Sequence, residues 1–539
     1  MTSLDRSDLG VLGGQPSICG RRKLTCQNGP PVDKQSASAI LLPSSVAAES
    51  RASVSHRTRN RERGVTATMS AQPTSSPRNL EDLIQKAGNP VNLLRNSPIG
   101  AYVYPVVPSE YTNWRDEQGA WRESAIMFDL SHHMVNLYVE GPDAVKLVSH
   151  LGFNTFANYA LDRAKQFAPC NYDGYVIGDG ILFPLEENKV AFVGRAPAAS
   201  WIEFHAATGG YNVKTVKDDR SPSNPGGKAV VRTLYRFQVQ GPNARQVLEK
   251  VNGGPLPDIK FFRMGTINIA GRKVRALFHG MAGTPGLEVW GPYEEREEIR
   301  AAFVEAGRDF DLHLVGSRAY ATNTLESGWI PSPLPAVYTG EKMKAYRQWL
   351  PATGWEGTAS LGGSFYSDKI EDYYVTPYEM GYASFVKFDH DFIGRQALEQ
   401  MAARPHRKKV TFAWNTDDVV KAFRSMFEPG PIYRFIDLPL SNYASASYDK
   451  VLVGGKTVGV SMFAGYSYNE RSMLSLGLVE PNIDVGTEVT LVWGEEGGGS
   501  KKATVERHKQ IEIRATVSPA PYSKTVREGY AAGWRTQQA

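Results

Sequence analysis

Cysteine and long apolar runs are both scarce in this sequence. Its 539 residues include three cysteines (Cys19, Cys26 and Cys170), too few for a disulfide framework and without the paired spacing of a zinc site. No apolar run approaches the roughly 18 residues that a membrane span needs. The composition, 41% hydrophobic and 22% charged, is ordinary for a soluble globular protein. These features predict a cytoplasmic protein of two or three domains with no membrane partner.

An excess of charge of one sign is also missing from most of the chain. The formal net charge is +5, but residues 1–68 hold ten Lys or Arg against five Asp or Glu, so residues 69–539 balance. A nucleic-acid partner is therefore not expected. The same stretch is rich in Ser, Arg and Gly and lacks a periodic apolar face, which is typical of disorder. Its early acidic residues argue against a transit peptide. We favour a start assigned too far upstream, with Met69 as the native start, and expect residues 1–68 to be dispensable.

One pattern, a strand that runs into Gly-Pro and then a helix, occurs twice, at 136–151 and again at 235–251. This repeat predicts two related α+β halves. After "ARPHRKKV" the sequence turns to strand patterns such as "TEVTLVWG" and "IEIRATVS", which predict a small antiparallel barrel. The predicted organisation is an N-terminal extension at 1–74, a ligand-binding α+β domain at 75–404, a C-terminal barrel domain at 405–528 and a tail at 529–539.

Two adjacent histidines, His132 and His133, lie in "MFDLSHHM" just before alternating apolar residues. The alternation places both of them on the strand, where they point to opposite faces and cannot bind one metal ion together. No further cluster of ligand-type residues accompanies them, so no metal site is predicted. His133 would share the apolar face of Val135 and Leu137. It is then either a satisfied core histidine, which the residues alone favour, or a proton carrier in a pocket.

Several further residues are candidates whose roles the residues alone leave open. Glu288 in "GLEVWGP" lies inside an apolar strand, where a carboxylate is costly unless it is paired. Arg195 in "FVGRAPAAS" follows a strand at a turn and is either an anion anchor or a surface arginine. Tyr102 and Tyr104 in "GAYVYP" share one face of an extended segment, which is most often simple packing. Trp329 in "ESGWIP" can stack on a flat aromatic ring.

Longer motifs carry a family resemblance. The ordered blocks "MFDLSHHMVNLYVEGPDAVKLVSHL", "FQVQGPNARQVLEKV", "GTPGLEVWGP", "PYEMGYASFVKFDHDFIGRQAL" and "VEPNIDVGTEVTLVW" resemble the folate-dependent aminomethyltransferases, the T-proteins of glycine cleavage. Within that superfamily, "NLLRNSPIGAYVYPVV", "GRAPAASW", "GSRAYATNTLESGWIPSPLPAVYTG" and "GYSYNERSMLSL" are similar to the tetrahydrofolate-dependent aromatic O-demethylases. The resemblance implies an α+β aminomethyltransferase-like fold with two related halves and a C-terminal antiparallel β-barrel domain.

The resemblance also implies a reaction, which is methyl transfer from vanillate, 3-O-methylgallate or syringate to N5 of tetrahydrofolate. It implies no metal, flavin or NAD and no obligate protein partner. By this resemblance, Tyr320 donates a hydrogen bond or proton to the ether oxygen, supported by His133 and Tyr104. Arg195 anchors the substrate carboxylate, with Tyr102 and Leu130 beside the substrate. Glu288 accepts hydrogen bonds from the pterin, and the folate cavity is lined by Trp329, Gln238 and Val193.

Two departures from relatives narrow the assignment. The T-protein carries adjacent acidic residues where this chain has Gly178 and Asp179, which argues against aminomethyl transfer on a lipoyl arm. Cys170 lies in "FAPCNYDG", which is not the cysteine motif of the iron–sulfur-assembly folate protein. Two alternatives remain, a demethylase of small sulfonium or amine donors and a folate-binding protein without turnover.

Overall fold

A computed structural model describes residues 76–101, 104, 106–218, 232–331, 333–499 and 501–532. The predicted extension at 1–74, Tyr102 and the last seven residues of the predicted tail lie outside these ranges. The predicted domain boundaries and the dispensability of residues 1–68 therefore stay predictions. Among the described helices, none combines the length and apolar character needed to cross a membrane.

The described chain contains helices and strands throughout. The α-helices are α1 Leu80–Ala87, α2 Pro90–Arg95, α3 Trp114–Glu123, α4 Ala144–Leu151, α5 Ala196–Thr208, α6 Ala244–Asn252, α7 Arg296–Gly307, α8 Ser317–Ser327, α9 Lys344–Trp349, α10 Trp355–Thr358, α11 Arg395–Ala402, α12 Thr416–Arg424 and α13 Lys524–Ala532. The strands are β1 Ala125–Asp129, β2 Val135–Glu140, β3 Lys165–Phe167, β4 Gly180–Glu186, β5 Lys189–Gly194, β6 Lys214–Asp218, β7 Leu234–Gln240, β8 Met264–Ile269, β9 Arg272–Phe278, β10 Gly286–Pro292, β11 Leu312–Val315, β12 Leu361–Gly362, β13 Lys408–Trp414, β14 Ala446–Ser447, β15 Asp449–Val453, β16 Lys456–Ser467, β17 Ser472–Val479, β18 Glu488–Trp493 and β19 Ile511–Ser518.

The described strands form four sheets, of which the smallest pairs only β12 with β14. The first has the order β11-β1-β7-β10-β9-β8, and the second has the order β3-β4-β5-β2-β6. All neighbours in both sheets are antiparallel except β1 and β11, which are parallel. The C-terminal strands close into an antiparallel barrel of order β13-β17-β16-β15-β18-β19. The predicted α+β architecture with a C-terminal barrel is therefore confirmed.

The repeated strand–Gly-Pro–helix unit has a backbone cause. Gly141 and Gly241 end β2 and β7 with φ values of 145° and 124°, a region that favours glycine. A Cβ at Gly141 would lie 2.3 Å from the carbonyl oxygen of Asn212, and one at Gly241 would lie 2.5 Å from that of Ser124. The chain turns tightly at both places, and α4 and α6 follow. The prediction of two related units from this motif matches the structure.

Strand alternation separates two kinds of surface in the first two sheets. On β2, Leu137 packs into an outer apolar core while Tyr138 faces the space between the sheets. On β7, Phe237 packs outward while Arg236 lines the same inner space. Because successive side chains on a strand point to opposite faces, one inner layer collects residues from both sheets.

The two adjacent histidines do not lie where the sequence predicted. His132 and His133 lie in a turn between β1 and β2, whereas the sequence interpretation had placed them on a strand. The turn forms because the backbone N–H of Ser131 donates to Asp129 Oδ1 at 3.0 Å, and that of His133 donates to the carbonyl of Leu130 at 3.1 Å. An Asp side chain competes in this way with the sheet ladder for a backbone donor.

The barrel contacts α3 and α8 through the turn between β16 and β17. Ser467 Oγ and Asn469 Nδ2 donate to the carboxylate of Glu326 on α8 at 2.7 Å and 3.1 Å. The indole of Trp121 on α3 donates to the same carboxylate at 2.9 Å. The backbone N–H of Tyr468 donates to Gln118 Oε1 on α3 at 2.6 Å. Glu326 is buried, and burial raises its pKa against the opposing effect of these donors.

Candidate active site

The layer between the two sheets holds a row of polar side chains. Gln238 and Glu288 are direct neighbours in the register of β7 and β10, and Arg236 lies two residues away on the same face. All three are buried. Across the layer, the rings of Trp290 on β10 and Phe183 on β4 meet at 5.1 Å. Buried polar groups in an otherwise apolar layer need partners, so this arrangement indicates a binding site.

Glu288 has the partner that its burial requires. Arg236 Nε donates to Glu288 Oε1 at 2.8 Å, and Arg236 Nη2 contacts the same oxygen. Arg236 thus contacts one oxygen of the carboxylate and leaves Oε2 to another donor. Removing either partner of a pair this deep would leave an uncompensated charge.

An aromatic cluster surrounds Tyr320 in the first turn of α8. The ring of His133 lies 4.7 Å from that of Tyr320, Phe128 lies 4.6 Å away, and Tyr104 lies 5.5 Å away, all edge to face. The hydroxyl of Tyr104 donates to the carbonyl oxygen of Asp129 at 2.6 Å. The structure therefore brings together three residues that the sequence resemblance assigned to methyl transfer. The hydroxyl proton of Tyr104 is used in this bond to the backbone.

His133 is held as a neutral imidazole. Burial is the largest cause and lowers the pKa of His133 well below its ordinary range, and the charges of Arg236, Arg195 and Arg232 lower it further. Its Nδ1 is buried and has no hydrogen-bond partner among the described residues. A histidine satisfied by the core, the interpretation that the residues alone favoured, would have such a partner. His132 is separate, because its Nε2 is 2.9 Å from the hydroxyl of Tyr293.

Arg195 lies where the sequence predicted, at the turn between β5 and α5, and it is half-buried. Its charge acts on both His133 and Asp179. Burial raises the pKa of Asp179, while hydrogen bonds from Tyr382 and Trp329 and the charges of Arg195 and Lys409 oppose the increase. The charge of Arg195 therefore influences both a histidine of the aromatic cluster and a buried carboxylate.

Trp329 follows α8 and is fixed by its indole. Its Nε1 donates to Asp179 Oδ2 at 2.9 Å and lies 3.0 Å from the hydroxyl of Tyr382, which donates to the same Asp179 oxygen at 2.6 Å. These contacts set the plane of the indole ring. A preset ring plane suits stacking on a flat ligand.

The remaining predicted residues are also placed. Val193 on β5 lines the inner layer beside Arg236, and Gln238 donates through Nε2 to the carbonyl of His279 at 2.9 Å. Leu130 is buried in the apolar cluster that includes Phe128 and Tyr320. Tyr102 lies outside the described residues, so its role stays a prediction.

Unpaired polar atoms test whether this layer suits a pterin. Gln238 Oε1 and Gln240 Nε2 are buried without a hydrogen-bond partner within the described part of the chain. Together with Glu288 they offer acceptors and a donor in one row along β7 and β10. A pterin ring presents adjacent N–H donors and ring acceptors, which such a row can match. The residues therefore fit a folate. Over the described ranges, no group of three or more His, Cys, Asp or Glu side chains could hold a metal ion.

Sequence reasoning missed Arg236 and Tyr382. The alternation of "YRFQVQ" puts Arg236 on the face of Gln238, so a signal existed and was not used. Tyr382 gave no signal, because it lies 203 residues from the Asp179 that it contacts.

Comparison with known proteins gives the family. The chain matches the GCVT N-terminal domain over residues 101–332. It is 49% identical over 463 residues to a syringate O-demethylase of Sphingobium sp., spanning 86% of this chain and 100% of that protein. It is 31% identical over 433 residues to a sesamin methylene transferase of Sinomonas sp., spanning 77% of this chain and 90% of that protein. It is 28% identical over 302 residues to an aminomethyltransferase of Streptomyces avermitilis, spanning 55% of this chain and 68% of that protein.

A solved structure gives the fold. Glycine cleavage system aminomethyltransferase T of Bartonella henselae superposes with a TM-score of 0.53 at 18% identity, covering 83% of this chain and 97% of that chain. At this identity the likeness supports the fold alone, and it agrees with the architecture described above. The sequence relationship goes further, because it extends over the whole length of the syringate O-demethylase. The chain therefore belongs to the tetrahydrofolate-dependent aromatic O-demethylases, within the superfamily of the glycine-cleavage T-protein.

Proposed function

We propose that this enzyme transfers the methyl group of a methoxylated hydroxybenzoate, such as syringate, 3-O-methylgallate or vanillate, to N5 of tetrahydrofolate. The observation that carries the proposal is the contact of Tyr320 with the neutral His133, at 4.7 Å between ring centroids, in a site flanked by Arg195. The products are the catechol-type acid and 5-methyltetrahydrofolate.

The chemistry requires help for the leaving group. A phenolate leaves poorly, because its conjugate acid has a pKa of about 10. A proton or hydrogen bond given to the ether oxygen lowers that barrier. We assign this task to Tyr320, with His133 as an uncharged neighbour that can pass or hold a proton. Arg195 supplies the parallel N–H donors that bind a carboxylate with both oxygens.

Folate supplies the nucleophilic nitrogen when it is bound. Glu288 Oε2 would accept from the pterin, with Gln238 beside it and Trp329 as the stacking surface. Placement of the two ligands in line, with reacting atoms roughly 3 Å apart, is the protein's further contribution. The apolar wall at Leu130 and Phe128 suits a second methoxy group on the ring better than a hydroxyl.

The reaction itself is the first testable prediction. Under strictly anaerobic conditions with EDTA, the purified protein should convert syringate and tetrahydrofolate into equal amounts of demethylated acid and 5-methyltetrahydrofolate. Vanillate and 3-O-methylgallate should be assayed in parallel by chromatography with mass detection. Formation of formaldehyde, or a requirement for oxygen, would replace methyl transfer by an oxidative mechanism. Folate binding without any turnover would support the non-catalytic alternative.

A second prediction concerns Glu288. Glu288→Gln should weaken tetrahydrofolate binding by about 1.5–3 kcal/mol, because an amide N–H replaces an acceptor that faces the pterin's own donors. Calorimetry measures the affinity. Glu81→Gln is the control, since Glu81 is paired with Arg347 Nε at 2.6 Å in a remote part of the fold. An unchanged folate affinity in a folded Glu288→Gln protein would remove Glu288 from the folate site.

A further inference from the structure

Arg236 occupies the junction of the two parts of the candidate site. Its guanidinium holds Glu288 Oε1, and the two side chains are 8% and 2% exposed. A carboxylate this deep is costly to bury unless it has such a partner. The contact fixes which oxygen, Oε2, is left for a ligand.

The main chain of Arg236 holds the turn that carries His133. The backbone N–H of Leu130 donates to the carbonyl of Arg236 at 2.8 Å, and the backbone N–H of Arg236 donates to Ser131 Oγ at 3.1 Å. These bonds fix the turn that carries His133 against the backbone of β7.

We propose that Arg236 is a positioning residue for the methyl transfer: its side chain presents the Glu288 carboxylate to the pterin, and its charge acts on His133 beside the methyl donor. This inference rests on the proposed function and adds a residue to which the family resemblance gave no role. Arg236 would link the folate half of the site to the donor half without contacting the reacting atoms.

Electrostatics around His133 support the second part of the proposal. The titratable and charged groups near this imidazole are Tyr104, Tyr320, Arg195, Arg232 and Arg236, together with Asp129 of the same turn. Asp129 is already paired with Arg296. Among the three arginines, Arg236 is the first charge that lowers the pKa of His133, after burial itself.

The sign of the expected change follows from this arrangement. Without the Arg236 charge, the pKa of His133 rises toward its ordinary range, and burial with Arg195 and Arg232 still holds it below that range. If neutral His133 is the working form, the acid limb of the pH–rate profile moves to higher pH. In Arg236→Met the limb should therefore move to higher pH than in the wild-type protein. The same variant should bind tetrahydrofolate about tenfold more weakly or worse, because Glu288 loses its partner.

Two further variants separate the effect on folate affinity from the effect on the pH profile. Arg236→Lys keeps the charge but loses the fork, so folate affinity should fall while the pH profile stays in place. The double variant Arg236→Met with Glu288→Gln removes the pair together and avoids an unpaired buried charge. Compared with Glu288→Gln alone, it should show the shifted pH profile without further loss of folate affinity.

Arg347→Met is the matched control. The side chain of Arg347 is also 8% exposed, but it lies on α9 and pairs with Glu81 on α1. Its loss should lower stability and leave both folate affinity and pH profile unchanged.

The outcomes separate this inference from the proposed function. If the wild-type protein transfers no methyl group to folate, the proposed function fails, and the folate affinities of the Arg236 variants still test the positioning role. If the wild-type protein is active, a folded Arg236→Met protein with unchanged folate affinity and unchanged pH profile overturns the inference. Should Arg236→Met not fold, the Arg236→Lys and double variants decide.

Discussion

Tyr320→Phe is expected to lower the turnover number by about 10²–10⁴-fold, the usual contribution of a positioned proton donor. The substitution removes one hydroxyl and keeps the ring that packs between His133 and Phe128. Substrate and tetrahydrofolate should therefore still bind with nearly normal affinity. Single-turnover kinetics with syringate would show the loss in the methyl-transfer step itself, and calorimetry would show retained binding.

Tyr338→Phe provides the control for Tyr320→Phe. The hydroxyl of Tyr338 is buried and donates to the carbonyl of Glu356 at 3.0 Å, outside the candidate site. Its removal should lower the free energy of unfolding without changing turnover. If Tyr320→Phe also retains full turnover, the proton donor is another group, and the neutral His133 becomes the first candidate.

The second large effect is expected at Arg195. Arg195→Ala should weaken binding of the methoxybenzoate by about 2–5 kcal/mol, the cost of removing one partner of a desolvated charge pair. A substrate analogue without the carboxylate, 2-methoxyphenol, gives the sharpest control. Its binding should be weak in both proteins and insensitive to the substitution, so the effect requires the arginine and the carboxylate together.

Folate affinity decides whether Arg195 is an anchor or a structural residue. The charge of Arg195 also acts on Asp179, which holds the indole of Trp329. If Arg195→Ala weakens tetrahydrofolate as much as the methoxybenzoate, its main role is to hold this inner carboxylate. A loss confined to the carboxylated substrate would support the anchor.

Local patterns in the sequence predicted much of the fold because the relevant interactions are themselves local. The Gly-Pro turns after β2 and β7 require positive φ at glycine, and the alternating strands of the barrel state which face is buried. The prediction that the two histidines lie on a strand was wrong, because a single hydrogen bond accepted by the side chain of Asp129 ends the strand pairing before them. The periodicity of apolar residues along the sequence gives no information about such a hydrogen bond.

Some residues of the candidate site could likewise be predicted from local sequence patterns, and others could not. The position of Arg195 could be predicted, since a strand followed by "GRAPAAS" places it at a helix start. The Arg236–Glu288 pair joins residues 52 positions apart, and it is set by the register of β7 against β10. That register depends on the packing of the whole sheet. The roles of Tyr320, His133 and Glu288 came from the family resemblance, and the structure adds the contact of Tyr320 with His133.

The position of the Glu326 carboxylate bears on whether the barrel can be deleted or exchanged. Four side chains from two separate regions donate to it, Trp121 and Arg122 on α3 and Ser467 and Asn469 at the turn between β16 and β17, and it lies on the same helix as Tyr320. Deletion of the barrel would remove two of these four donors, Ser467 and Asn469, from the end of the helix that carries Tyr320. Exchange of barrels between relatives must likewise carry the β16–β17 turn along. The barrel therefore helps to fix the helix on which Tyr320 lies.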